Sequence, residues 1–153
     1  VNKGVLGSML PIFNTASEVG YGAVIAGLAG FAIIREAVLN VAPHNPLISE
    51  AVAMNVLAGI TGSASGGMSI ALNTLGEQFA TMSQEQGISM ELMHRVTALS
   101  SGGFDALPHN GAVITLLAIT GLTHKKSYPD IFVVAVLIPV IALITVIVLG
   151  TVL

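Results

Sequence analysis

The chain has 153 residues, of which 54% are hydrophobic and only 8% charged, and its formal net charge is −3. An average soluble domain is about 25% charged, and a chain this short has too little interior to hide so many apolar side chains from water. Composition and charge together exclude a disordered chain, a nucleic-acid binder and most soluble enzymes, and they point to an integral membrane protein.

In chain order, Gly4 to Phe13 reads as the end of an apolar segment disturbed by Pro11, and Asn14 to Gly22 as a connection. The first full span is expected over residues 19–42, closed by Pro43. Gly22, Ala26 and Gly30 recur at every fourth position along it, a small-residue seam that lets helices approach closely. His44 and Asn45 sit between two prolines and read as a surface turn. The apolar start and finish of the sequence suit a C-terminal piece of a larger membrane protein.

The second apolar region, 51–76, carries no charge, yet its middle runs Gly59-Ile60-Thr61-Gly62-Ser63-Ala64-Ser65-Gly66-Gly67. Gly and Ser weaken helices and a Gly-Gly pair can break one, so a break is expected there, over Gly62 to Gly67. Residues 77–95 form a polar connection, a loop or surface helix outside the bilayer. The third region, 96–122, is broken as well. Pro108 disfavours helical geometry at Leu107, and Asn110 is a good N-cap for a helix starting near Gly111. Opened backbone at membrane depth is tolerated only where it is buried in protein or lines a cavity. The string Ser65 to Ser69 echoes Ser101 to Asp105, which hints at an internal repeat. The short loop 123–130 carries Lys125 and Lys126 and is expected on the cytoplasmic side. The last span, 131–153, is uncharged, and Pro139 should kink it.

The two breaks are where chemistry is expected. A half-helix N-terminus presents unsatisfied N–H groups and partial positive charge, which suits a carboxylate. Candidate substrate-binding residues are Ser63, Ser65, Gly66, Gly67, Ser100, Ser101, Gly102, Gly103, Asn110 and Gly111. Asp105 is the only acid inside an expected apolar span, and ionisable groups there are functional by default. Asp105 and His109 therefore form the candidate proton-coupling pair. Asn14, Ser17 and Glu18 are weaker candidates. Cysteine is absent, which excludes thiolate catalysis and Cys-ligated zinc. The four histidines are scattered without a metal-binding spacing, no nucleophile and base stand paired, and neither cofactor nor enzyme activity is expected.

Two interrupted hydrophobic segments in one chain are the pointer to a secondary-transporter site. Asn14 to Gly22 and Ser100 to Thr115, with Leu107-Pro108-His109-Asn110-Gly111-Ala112-Val113, resemble the gluconate permease family of bacterial symporters, in particular its hydroxybutyrate-type members. The resemblance runs over essentially the whole chain and covers about the C-terminal third of such a permease. It implies an all-α, polytopic membrane protein with re-entrant segments, part of an inverted-repeat transporter in the bacterial inner membrane. It also implies proton-coupled import of small hydroxy-monocarboxylates. The expected partners are a small organic anion, a proton, the lipid bilayer, the remaining N-terminal part of the transporter and a second copy of the assembled protein; nucleic acid is not expected. Sodium coupling through carbonyls near Gly62 to Gly67, and a non-transporting membrane scaffold, are the alternatives.

Overall fold

The computed structural model describes residues 2–152, apart from the side chains of residues 2, 15, 18 and 19. All regular elements among them are helical, as the sequence predicts. They run α1 (Asn2–Ala26), α2 (Ala29–Leu39), α3 (Pro46–Thr61), α4 (Ala64–Glu85), α5 (Met90–Gly103), α6 (Gly111–Thr120), α7 (His124–Phe132) and α8 (Ile138–Val152), with a π-helical turn, Val133–Leu137, joining the last two.

The core forms around α3, which is apolar on all sides and is covered accordingly. One cluster joins its Leu47, Ala51 and Ala53 to Leu75 and Phe79 of α4, Met93 and Val96 of α5 and Leu143 of α8. Another joins Met54 and Leu57 to Phe31 of α2 and Ala71 of α4. Helices α3 and α4 meet backbone to backbone at Gly67. A methyl group there would stand 2.5 Å from Ala58 Cα and overlap the Ala58 nitrogen.

The exterior is equally apolar. His124–Val152 is a continuous 29-residue helix, long and apolar enough to cross a bilayer. Ile141, Ile144, Val148 and Val152 form an exposed stripe along α8, the surface expected of a helix facing lipid. The fold is an all-α membrane fold.

Several expected boundaries move. Residues 19–42 are not one straight helix. The chain bends by 82° between Gly20–Ala26 and Ala29–Leu39, with Leu28 extended at φ −78°, ψ 142°. The bend lets Phe31 and Val38 bury themselves in the two α3 clusters, a tertiary gain that overrides the local apolar run. It also splits the small-residue seam: Gly22 lies against Thr61, whereas Gly30 faces open space. Upstream, Asn2–Ala26 is a single helix through Pro11, so residues 14–22 are not a connection. Residues 77–85 continue α4, and α5 begins at Met90, so only residues 86–89 form a turn. The 123–130 segment is mostly helical rather than a loop. Near Pro139 the helix widens into the π-helical turn just upstream, which gives the proline ring room beside the preceding turn.

Candidate functional site

The first break falls at Gly62 and Ser63, within the expected Gly62 to Gly67 stretch. Gly62 ends α3 in the left-handed conformation, φ 66°, which glycine adopts without a Cβ clash. Ser63 then starts α4 as N-cap, its Oγ accepting from the Gly66 N–H at 3.2 Å. The second break spans residues 104–110. Its Asn110 caps α6 as expected, with Oδ1 accepting from the Val113 N–H at 2.9 Å. The echoing Ser/Gly strings stand at opposite ends of their helices, one opening α4 and the other closing α5. The echo is therefore not a repeat of structure.

The two breaks are bonded to each other. Asp105 Oδ1 accepts from the Ala64 N–H at 2.7 Å and from Asn110 Nδ2 at 2.9 Å. Asn110 Nδ2 also donates to the Gly62 carbonyl at 2.6 Å. His109 Nε2 lies 2.8 Å from the Gly59 carbonyl, so Nε2 carries a proton, because a carbonyl can only accept. The Asp105 carboxylate thus sits on the N-terminus of α4, where the exposed N–H groups and the helix dipole favour an anion. Asp105 and His109, grouped by sequence as a pair, make no hydrogen bond to each other; each reaches across to the first break instead.

Further bonds fix the second break from outside. His124 Nε2 bonds the Pro108 carbonyl at 2.9 Å, and the Tyr128 hydroxyl donates to the Ala106 carbonyl at 3.2 Å. On the other side, Asn14 Nδ2 donates to the Gly111 carbonyl at 2.8 Å and to Thr115 Oγ1 at 3.0 Å, tying α1 to α6.

Two small cavities open beside this junction, each lined in part by the Tyr21 to Ala23 stretch of α1. One, about 320 Å³, is lined by Asn14, Ser17, Tyr21, Thr61 and His109. The other, about 250 Å³, is lined by Gly22, Ala23, Ser65, Gly66, Ser69 and Ile70. The structure therefore brings together Asn14, Ser17, Ser63, Ser65, Gly66, Asp105, His109, Asn110 and Gly111. The side chain of Glu18 lies outside the described residues.

Other expected site residues sit elsewhere. Ser100 and Ser101 are buried and donate back into their own helix, to the carbonyls of Val96 at 2.6 Å and Ala98 at 2.9 Å. Gly67 packs on α3, and Gly103 packs against the Asn55 side chain. Gly102 faces open space.

Sequence reasoning missed Tyr21 and Thr61 in the cavity wall and His124 and Tyr128 as supports of the break. The latter two were findable as an i, i+4 pair on a helix. It also missed that Asp105 is not the sole acid within an apolar segment. Glu50 lies inside α3 and is 3% exposed. The signal was present: Asn45-Pro46 is an N-cap followed by proline at N1, which starts the helix upstream of Glu50. Among the described residues no group of three or more His, Asp or Glu is placed to hold a metal ion.

The chain is 50% identical, over 137 residues and 90% of its length, to a protein of Bacillus subtilis (strain 168) named "Uncharacterized transporter YxjC". It spans 29% of the length of that relative. No family profile matches the chain, and no solved structure matches it. A relative named as a transporter agrees with the apolar exterior of this fold: the chain is a membrane protein.

Proposed function

We propose that this chain is part of a secondary active transporter of the bacterial inner membrane. It carries small hydroxy-monocarboxylates, of the 3-hydroxybutyrate or gluconate type, together with a proton. The likeness to a named transporter supports transport as such, and the gluconate permease resemblance supports the substrate class and the inverted-repeat plan. The observation that carries the mechanism is the Asp105 carboxylate seated on the α4 N-terminus, 2.7 Å from the Ala64 nitrogen.

Asp105 occupies the place where a substrate carboxylate would bind best. An ionised Asp105 neutralises the half-helix end and disfavours a second anion there. Protonation removes that charge and weakens its hold on the Ala64 N–H. The helix end then takes the carboxylate of the substrate, while Ser65 and Ser69 in one cavity and Asn14, Ser17 and Tyr21 in the other offer partners for its hydroxyls. One proton is thereby linked to one monoanion. The carbonyls of Gly59 and Gly62 already accept from His109 and Asn110, which favours the proton over a sodium ion at this break.

The test uses the full-length parent in proteoliposomes. Internal pH is followed while 3-hydroxybutyrate or gluconate is added, with and without Na⁺. Substrate-dependent proton entry without Na⁺ is expected. Uptake that requires Na⁺ at fixed pH would move coupling to sodium, and no uptake of either acid under any gradient would reject the substrate class.

A further inference from the structure

Glu50 is the buried acid that this mechanism does not use. It lies on α3, about 18 Å along the helix from the break at Gly62, among the buried residues Leu47, Ser49, Ala51 and Met54. Its Oε1 is 2.6 Å from Thr97 Oγ1 of α5. Its Oε2 is buried without a hydrogen-bond partner.

The Thr97 hydroxyl decides the protonation state. It lies 2.6 Å from Glu50 Oε1 and 3.0 Å from the Met93 carbonyl. It has one hydrogen, and a carbonyl can only accept. If Glu50 is ionised, that hydrogen must serve two acceptors at once. If Glu50 is protonated, Oε1 donates to Thr97 Oγ1, and Thr97 donates to Met93 in the usual i−4 manner of a helical threonine. Every short contact is then a full hydrogen bond. The bare Oε2 agrees: it is tolerable as the oxygen of a neutral acid and very costly on a buried carboxylate.

Among the described residues, no cation offsets a charge at this point. The charged and titratable groups on the helices packed against α3 are exposed: Lys3 and Tyr21 on α1, Arg35 and Glu36 on α2, Glu77 and Glu85 on α4, and Glu91, His94 and Arg95 on α5. Helix α8 carries none, and the Glu18 side chain is outside the described residues.

We propose that Glu50 holds a proton in this conformation and is a proton-binding site separate from Asp105, held by a hydrogen-bond chain through Thr97 to the Met93 carbonyl. The site stands whether or not the transported substrate is a hydroxy acid.

Infrared spectroscopy of the purified full-length parent tests it, without substrate or gradient. A protonated carboxyl has a C=O stretch that neither a carboxylate nor an amide shows. The parent should show such a band at neutral pH. Glu50→Gln, whose amide can still donate to Thr97, should remove one carboxyl from it. Thr97→Val should shift the same component. Absence of any protonated-carboxyl band in the parent overturns the proposal before a variant is made. A band unchanged in a folded Glu50→Gln protein overturns it as well. Should that variant fail to fold, a band unmoved by Thr97→Val has the same force.

Discussion

The Asp105 carboxylate accepts the Ala64 N–H at 2.7 Å across 41 residues of sequence, so the acid of the second break caps the helix that begins at the first. Structure and coupling can be separated there by choice of substitution. Asp105→Asn keeps an oxygen able to accept from Ala64 and removes the charge. It should fold with less than about 1 kcal/mol of loss, abolish proton-driven accumulation and spare exchange of substrate. Asp105→Ala removes the acceptor of the Ala64 N–H while Ser63 still caps Gly66, and should cost about 1–2 kcal/mol in addition. Uptake assays paired with thermal melts check this. Asp105→Asn that still concentrates substrate on a pH gradient would remove Asp105 from the coupling step.

Asn110 makes the densest set of bonds at the junction. Its Oδ1 caps α6 while its Nδ2 reaches Gly62 and Asp105. Asn110→Ser retains an N-cap but is too short for the cross-break bonds, and Asn110→Ala loses both. The expected order of melting temperature is parent, then Ser, then Ala, with a total loss of about 2–4 kcal/mol for Ala. A serine variant as stable as the parent would show that the bonds between the breaks contribute nothing measurable.

Local chemistry made half of this junction readable. The Asn110 cap follows from a polar residue between a proline and an apolar run, and a weak point near Gly62 follows from the glycine and serine content. The bonds joining the two breaks do not follow, because a capping rule says nothing about which distant acid arrives. The same limit hid the bend at Gly27 and Leu28. Gly27 does not stand out in a run that also holds Gly20, Gly22 and Gly30, and the bend is decided by where Phe31 and Val38 find cover against α3. Glu50 was hidden differently. The apolar run reads as starting at Ala51, one residue past Glu50, although the Asn45-Pro46 pair marks the helix start five residues earlier.

Gly67 and Gly102 both read from sequence as candidate substrate-binding residues, yet their surroundings are opposite. Gly67→Ala drives a methyl into the Ala58 backbone and should destabilise the α3–α4 pair by about 1–3 kcal/mol. Gly102→Ala meets nothing within 4 Å and lies in the last turn of α5, so it should be neutral or stabilising by up to about 1 kcal/mol. Thermal melts of both variants in detergent test the contrast. Equal melting temperatures would mean that the close helix crossing is not maintained.

The cavity lined by Asn14, Ser17, Tyr21, Thr61 and His109 should admit substrate. This chain contains no cysteine, so a cysteine placed in it adds one new thiol to the segment. In a cysteine-free full-length background, Ser17→Cys should react with a small maleimide, and 3-hydroxybutyrate or gluconate should slow that reaction severalfold. Gln84→Cys, on the exposed surface of α4, should react at the same rate with or without the acid. Replacing His109 by Ala in the Ser17→Cys protein removes the imidazole from the cavity wall along with its bond to Gly59. It should weaken the protection while leaving the thiol reactive. Protection that survives in full would remove His109 from contact with the substrate, and a Ser17→Cys thiol that neither acid protects would place the substrate elsewhere, with the second cavity around Ser65 and Ser69 as the next position to label.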